Sequence, residues 1–202
     1  MGDNPLICIV EDDAAMRDAL LLLQSAGFCV RCFASAEDFL ADADRMGPYC
    51  LLTDVRLPGM DGLSLHRHLM SLGDAPTVVM ITGHGDVPMA VAALKAGAAD
   101  FVEKPFDPAV LLDSIRDASQ RATALYQRKV LATDVKSRLR TLTSRETEIL
   151  SLLAEGHPNK VIAATLDISL RTIEHRRAHI MEKTQARSLS HLVRMVFEFG
   201  VR

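Results

Sequence analysis

The sequence predicts an α/β domain followed by a small all-α domain. Short apolar runs alternate with helical patterns as far as about residue 125, as in βα repeats around a parallel sheet. After Leu142 the pattern is purely helical. The charge changes along the chain as well. Residues 1–137 contain 12 Lys and Arg against 19 Asp and Glu, a net −7, and residues 138–202 contain 11 against 7, a net +4. An acidic and a basic part indicate two modules with different partners, and the basic one suits nucleic acid.

Length and composition limit the class of protein. The chain has 202 residues, enough for two small domains, and 49% of them are apolar, enough for packed cores. No apolar run reaches the roughly 18 residues needed to span a bilayer. Residues 1–5 lack the basic region and cleavage site of a signal peptide. We therefore expect a cytoplasmic protein with no membrane segment.

The first strands and helices follow from hydrophobic periodicity. Some of the runs are almost continuously apolar, as in strands that are buried on both faces of a parallel sheet. The predicted strands are Leu6–Val10, Cys29–Phe33, Cys50–Thr53, Thr77–Thr82 and Asp100–Val102. Helices are predicted near 14–26, 35–45, 62–71, 87–96 and from 108 onward. Five such repeats predict an open, doubly wound sheet with right-handed crossovers.

A helical linker is predicted next. Residues 108–138 show no strand pattern and little Gly or Pro, which indicates one long helix or a helix with a frayed extension. We assign 5–120 to the α/β domain, 121–138 to the linker and 139–202 to the all-α domain.

The all-α domain shows four helices. Thr143 and Glu146 have the spacing of a capping box at the start of the first one. A second helix is predicted over Asn159–Leu166, a third from Ser169 to about Thr184, and a fourth over Ser188–Phe199. A tight turn at residues 167–169 separates the second from the third, which is a helix-turn-helix pattern.

Polar residues follow the predicted strands at one edge of the sheet. They are Glu11, Asp12 and Asp13 after the first strand, Asp54 on the third, Thr82 on the fourth and Lys104 after the fifth. Any one of them alone is more often an ordinary loop residue, but together they would meet where the strands end. Several carboxylates repel one another unless a hard cation such as Mg²⁺ holds them. A carboxylate there can also accept a phosphoryl group as a nucleophile.

Cysteines and histidines offer weaker alternatives. Cys29-x-x-Cys32 has a spacing found in redox and zinc sites, but no second Cys or His pair has zinc-ligand spacing. Residues three apart on a strand also point to opposite faces, so free and mostly buried thiols are the preferred interpretation. His66 and His68 are two apart on a helix and His84 lies in a loop, and we treat all three as non-catalytic.

Residues 5–120 resemble the receiver domain of two-component response regulators. The matching segments are 10–13, 53–58, 61–62, 81–86 and 104–106. The resemblance implies a flavodoxin-like, five-stranded parallel sheet of order 2-1-3-4-5. It implies that Asp54 is the phosphoacceptor and that Mg²⁺ is bound by Glu11, Asp12, Asp54 and the backbone carbonyl of Arg56. It further implies that Lys104 contacts the phosphoryl group and that Thr82 and Phe101 form a switch pair, although Phe101 also suits a static core aromatic.

Residues 141–199 resemble the LuxR-type helix-turn-helix domain. The matching segments include 142–146, 154–156, 168–174, 180–183 and 188–195, and with 82–89 they point to the FixJ-like branch of the NarL/LuxR-type regulators. The third helix would then enter the major groove. Glu174, His175 and Ala178 would lie nearest the base edges. The residues expected to reach phosphates are Lys160, Arg171, Thr172, Arg176 and Lys183. Leu170, Ile173, Ile180 and Met181 recur at helical spacing and would face the core.

The resemblance also implies partners and a mode of control. A sensor histidine kinase would phosphorylate Asp54, and the phosphorylated protein would form a homodimer, bind double-stranded DNA at a palindromic promoter site and act on RNA polymerase. A phosphorylation-independent regulator is disfavoured because Asp54, Thr82 and Lys104 are all present. An aspartyl-phosphate phosphohydrolase is disfavoured because Arg56 occupies the place of a second catalytic aspartate, so we expect no enzyme.

Overall fold

In the computed structural model the chain divides into two compact units, Met1–Gln127 and Arg128–Arg202. The structure describes residues 6–42, 48–72, 76–83 and 87–200. His84 and the end of the helix predicted over 35–45 lie outside the described residues. One continuous helix, Pro108–Leu139, runs from the first unit into the second, which is the first of the two predicted alternatives.

The first unit is a five-stranded parallel sheet of order β2-β1-β3-β4-β5, which confirms the predicted topology. Its strands are β1 (Leu6–Val10), β2 (Cys29–Phe33), β3 (Tyr49–Asp54), β4 (Thr77–Thr82) and β5 (Asp100–Glu103). Its helices are α1 (Ala14–Leu20), α2 (Leu22–Ser25), α3 (Ala36–Ala41), α4 (Gly62–Ser71), α5 (Val87–Lys95) and the start of α6 (Pro108–Leu139).

The sheet lies between two layers of helices. The residues on both faces of its central strands are apolar, so both faces are buried. Cys8 and Leu51 face a core that includes residues of α3, α4 and α5. Ile9 and Leu52 face a core that includes residues of α1, α2 and α6. Every residue of β3 and β4 is buried. β3 and β4 therefore form a rigid support for the residues at their carboxyl ends.

Two local features differ from the prediction. The first helix is interrupted at Leu21, so that 14–25 forms two helices. Cys29 and Cys32 are exposed whereas Cys8 and Cys50 are buried. The expectation of mostly buried thiols is thus wrong for β2, because β2 is an edge strand with only one neighbouring strand. None of the four cysteines forms a disulfide.

The second unit packs the end of α6 with α7 (Ser144–Ala154), α8 (Asn159–Thr165), α9 (Leu170–Thr184) and α10 (Leu189–Phe199). Thr143 and Glu146 form the predicted capping box, and Ser169 and Ser188 cap α9 and α10. Ile173 and Ile180 are fully buried, but Leu170 is 44% exposed and does not face the core as predicted. It lies in the first turn of α9, before Ile173, at which the helix begins to pack against the core. None of the described helices has the length and apolarity to cross a membrane.

Candidate functional site

The parallel register brings the polar residues of the first unit to one edge of the sheet. Val10 pairs with Thr53, Asp54 with Ile81, and Thr82 with Glu103. The strand ends are therefore level. Glu11, Asp12 and Asp54 each offer a carboxylate oxygen, and these oxygens lie within 4.8 Å of one another. We call these three residues the acidic pocket. Glu11 and Asp54 are buried, at 1% and 8% exposure, and Asp12 is exposed.

Lys104 is hydrogen-bonded to both buried carboxylates. Its ammonium donates to Asp54 Oδ2 at 2.5 Å and to Glu11 Oε2 at 2.8 Å. Burial raises the pKa of Glu11, and the interactions with Lys104 offset only part of that effect. Burial alone would lower the pKa of Lys104, but its hydrogen bonds to Asp54 and Glu11 outweigh burial and raise it. Lys104 is therefore a fixed positive charge at the mouth of the pocket.

Backbone contacts hold the acidic pocket in shape. The Arg56 amide donates to Asp54 Oδ1 at 2.8 Å, so that Asp54 is oriented by groups on both of its oxygens. Asp13 caps α1 through the Met16 amide and contributes no ligand to the pocket. Arg17 donates to the carbonyls of Glu11 and Asp12 at 2.7 and 2.8 Å. Sequence reasoning missed Arg17, since nothing but its position one turn into α1 indicates this contact.

Gly62 allows α4 to begin directly beside Asp54. Its amide donates to the Val55 carbonyl at 3.1 Å. A Cβ at residue 62 would lie 2.1 Å from the Asp54 carbonyl oxygen and 3.1 Å from Thr53 Oγ1. No side chain fits at that distance from backbone. The close approach explains why a glycine follows the α4 cap, Asp61.

Thr82 and Phe101 lie on neighbouring strands next to the pocket. Thr82 ends β4 and is 2% exposed, and its carbonyl accepts from the Lys104 amide at 2.7 Å. Phe101 pairs with Met80 in the sheet register, is half-buried, and packs against the core that α4 and α5 share. The Lys104–Pro105 peptide that follows is cis.

The donor set of the acidic pocket suits a hard divalent cation. Three carboxylates converge, and the one ammonium that two of them share balances a single negative charge, so the pocket retains negative charge. Mg²⁺ prefers carboxylate oxygens together with retained waters, and Asp12 is open to solvent. In chemical terms the pocket offers an oriented carboxylate nucleophile, a place for a cation and a fixed ammonium, which are the groups that stabilise a transferring phosphoryl group.

His66 belongs to the scaffold of α4. It is fully buried, and its Nε2 lies 3.1 Å from the Ala96 carbonyl oxygen beyond the end of α5. Burial lowers the pKa of His66, so the ring is neutral near pH 7. Its role is to join two helices.

In the second unit, α9 presents a polar face. Arg171, Glu174, His175 and Ala178 are exposed, Thr172 and Arg176 are half-buried, and Lys160 is exposed on α8. The Thr172 hydroxyl lies 2.7 Å from that of Ser169 at the start of α9. An exposed helix with this mixture of side chains is able to enter a DNA groove.

Lys183, which was predicted to contact a DNA phosphate, makes an ion pair within the second unit. Its ammonium lies 2.7 and 2.9 Å from the two carboxylate oxygens of Glu146, which is 5% exposed. The hydrogen bond to Lys183 lowers the pKa of Glu146 to about 2. A phosphate contact by Lys183 would have to compete with this ion pair. Sequence reasoning assigned Glu146 only to the capping box and missed the link between α7 and α9.

Comparison with known proteins identifies a family for each of the two parts of the chain. Residues 7–116 match the model for the response regulator receiver domain, and residues 140–196 match that for bacterial regulatory proteins of the luxR family. The chain is 47% identical to the transcriptional regulatory protein FixJ of Rhizobium meliloti over 193 residues, 95% of each chain.

Solved structures agree with these matches. The response regulator StyR superposes with a TM-score of 0.86 at 38% identity, covering 97% of this chain and all of the other. Full-length FixJ from B. japonicum gives a TM-score of 0.58 at 42% identity and covers 97% of each.

Proposed function

The chain belongs to the response regulators that join a receiver domain to a LuxR-type DNA-binding domain, and we propose that Asp54 is the residue whose phosphorylation controls it. Membership of this family makes the protein a phosphorylation-dependent transcription regulator. The receiver domain implies a histidine kinase as partner, and the LuxR-type domain implies binding to DNA. The main support for Asp54 is its position in the acidic pocket with Lys104 bonded to it at 2.5 Å.

Asp54 acts as the nucleophile in this proposal. One of its oxygens forms a bond to phosphorus while the phosphorus–nitrogen bond of the kinase phosphohistidine breaks. Lys104 moves from pairing carboxylates to pairing the phosphoryl oxygens. Glu11, Asp12, Asp54 and the Arg56 carbonyl would hold Mg²⁺, which when bound neutralises phosphoryl charge. The phosphorylation modifies the protein itself, and we propose no reaction on an external substrate.

The switch is proposed to start at Thr82. Its hydroxyl turns toward the phosphoryl group, and Phe101 moves into the space that this leaves. Both residues lie on the strands next to α5, so their movement repacks the surface formed by α5 and β5. The charge that the phosphoryl group adds at Asp54 thereby changes the packing of a surface larger than the site itself. We propose that this surface promotes dimerisation.

DNA contacts are proposed for α8 and α9. Glu174, His175 and Ala178 face the bases, and Lys160, Arg171, Thr172 and Arg176 contact phosphates, which set affinity and register. A contact by Lys183 requires release from Glu146. Two copies related by a two-fold axis would occupy half-sites about one helical turn apart in a palindromic promoter. The bound dimer would then act on RNA polymerase.

A gel shift tests phosphorylation control. The protein is incubated with promoter DNA with and without a small-molecule phosphodonor and Mg²⁺, and mass spectrometry follows the added phosphoryl group. We expect phosphodonor to add one phosphoryl group at Asp54 and to tighten DNA binding. Asp54→Ala should show neither effect. Equal DNA binding in all samples, or a phosphoryl group that persists in Asp54→Ala, would contradict the proposal.

A further inference from the structure

Two histidines lie side by side on the exposed face of α9. The ring centroids of His175 and His179 are 4.4 Å apart, with the ring planes inclined at 51°. Both side chains are exposed, and their i, i+4 spacing on a 15-residue helix places them one turn apart on one face. The core of the domain uses Ile173 and Ile180 of the same helix, so these imidazoles are not needed for packing.

The separation of the two rings is that of a two-histidine chelate in a six-coordinate metal site. A metal ion about 2.0–2.1 Å from each ligating nitrogen lies roughly 3.2 Å from each ring centroid. In a six-coordinate site, where neighbouring ligands subtend about 90° at the metal, the two centroids lie about 4.5 Å apart, whereas at the tetrahedral angle they would lie about 5.2 Å apart. The observed 4.4 Å agrees with that separation. Neutral imidazole nitrogens on one helical face are good ligands for Zn²⁺, Ni²⁺ and Cu²⁺.

We propose that His175 and His179 chelate a divalent transition-metal ion, with Zn²⁺ as the representative, on the surface of α9. Within the part of the chain that the structure describes, the acidic pocket is the one place where three such ligand groups converge. The ion on α9 therefore has two protein ligands and completes a six-coordinate shell with waters. Such an ion binds reversibly and stays exchangeable, unlike the closed sites that stabilise folds.

The site has a consequence for DNA binding that rests on the proposed function. His175 lies between Glu174 and Ala178 on the face assigned to the base edges. An ion with its bound waters occupies that surface and withdraws the His175 ring, so the helix no longer fits the groove. Zn²⁺ should therefore weaken DNA binding without changing phosphorylation at Asp54, since the ligands are different chemical groups in a different domain.

Calorimetric titration of the full chain with Zn²⁺ tests the site itself and needs no DNA. Millimolar Mg²⁺ is present to fill the acidic pocket. The exposed Cys29 and Cys32 are unchanged in every variant, so any zinc that they bind gives the same background. We expect His175→Gln and His179→Gln each to weaken one zinc site at least tenfold, because a chelate needs both ligands at once. The double variant should be little weaker than either single one. His157→Gln, which removes an exposed histidine from the loop between α7 and α8, is the matched control.

Several outcomes would overturn the proposal. Zinc binding that is unchanged in both single variants, or that falls equally in His157→Gln, means that the pair is not a chelate. The gel shift then tests the consequence with His179→Gln, which removes no proposed DNA contact. Zn²⁺ should weaken DNA binding by the wild type about tenfold more than by His179→Gln, and equal sensitivity would refute the DNA effect. Failure of the wild type to bind DNA at all would contradict the proposed function and leave the calorimetric result standing.

Discussion

At the scale of single residues, the stability of the acidic pocket depends on the positive charge of Lys104. Glu11 and Asp54 are buried and share the ammonium of Lys104. If Lys104 were absent, two buried carboxylates would face each other with only water or a metal ion to separate them, which is costly. The same ammonium lies 2.5 Å from one oxygen of Asp54, the side chain proposed to carry the phosphoryl group. One residue thus stabilises the resting pocket and is positioned for the modified one.

Gly62→Ala tests whether the close approach of the α4 backbone to Asp54 holds the proposed phosphoacceptor in position. The new methyl group would lie 2.1 Å from the Asp54 carbonyl oxygen, so the start of α4 must move away from the pocket. We expect the free energy of unfolding of the receiver to fall by about 1–3 kcal/mol and the rate of phosphorylation by a small phosphodonor to fall as well. Urea denaturation and mass spectrometry measure the two effects.

Ser64→Ala is the matched control for Gly62→Ala. Residue 64 lies in the same turn of α4, already has a Cβ, and receives the Asp61 cap through its backbone amide, which the substitution keeps. Its effect should stay within about 0.5 kcal/mol. If the two variants proved equally stable and equally phosphorylated, Gly62 would not be required for the site.

At the scale of helices and strands, hydrophobic periodicity predicted most of the first unit. The bounds of β1, β2 and β4 agree with the prediction, and β1 and β4 are apolar runs that begin after a proline and end before Glu11 and Gly83. The convergence of Glu11, Asp12, Asp54 and Lys104 followed from the same pattern, since parallel strands end at one edge. The site could therefore be located before any side-chain geometry was known.

Contacts between distant parts of the chain were not predictable in this way. Lys183 and Glu146 are 37 residues apart, and their ion pair depends on how α7 packs against α9. The exposure of Leu170 has the same origin, since periodicity places it on the apolar stripe but packing begins farther along α9. The reach of Gly62 to Asp54 is set by the loop between β3 and α4. Local sequence contains none of this information.

Glu146 makes the stability of the second unit depend on acid pH. Its folded pKa of about 2 is below its usual value of 4.5, because of the hydrogen bond to Lys183. A depressed carboxyl pKa stabilises the fold above the unfolded pKa, and this contribution is lost as the pH falls from about 4.5 through about 2. Between pH 5 and pH 3 we expect the wild type to lose about 1–2 kcal/mol relative to Glu146→Gln.

Urea titrations followed by NMR signals of α7–α10 measure this difference at each pH. Glu148→Gln is the control, because Glu148 is on the same helix but its ion pair with Arg145 is largely exposed and contributes little. A stability difference between wild type and Glu146→Gln that stayed constant from pH 5 to pH 3 would show that the ion pair with Lys183 is not formed in solution.

Thr82→Ala separates phosphorylation from its effect. Asp54, Lys104 and the acidic residues are unchanged, so a small phosphodonor should still add a phosphoryl group. The alanine has no hydroxyl to turn toward it, so the gain in DNA affinity on phosphorylation should fall at least fivefold. Thr77→Ala is the matched control, because Thr77 is also buried in β4 but at its opposite end. Equal gains in both variants would exclude Thr82 as the switch.

At the scale of the whole molecule, the uneven charge decides how DNA is bound. Residues 138–202 have a net +4 although the chain as a whole has −3. The acidic first part would repel DNA phosphates, so binding depends on a small number of basic residues in the second unit rather than on a general positive field. Each phosphate contact should therefore be measurable as a change in salt dependence.

Arg171→Ala tests the phosphate contact and the dimer in one measurement. Arg171 is exposed at the start of α9. Loss of one phosphate contact reduces the slope of log K against log salt by about 0.9, so a dimer, which loses two, should show a reduction of about 1.8. Phosphorylated protein and a palindromic site are used over a range of salt concentrations. Arg116→Ala, in the receiver, is the control and should leave the slope unchanged. A reduction near 0.9 would mean that one copy of the second unit contacts DNA, and an unchanged slope would remove Arg171 from the interface.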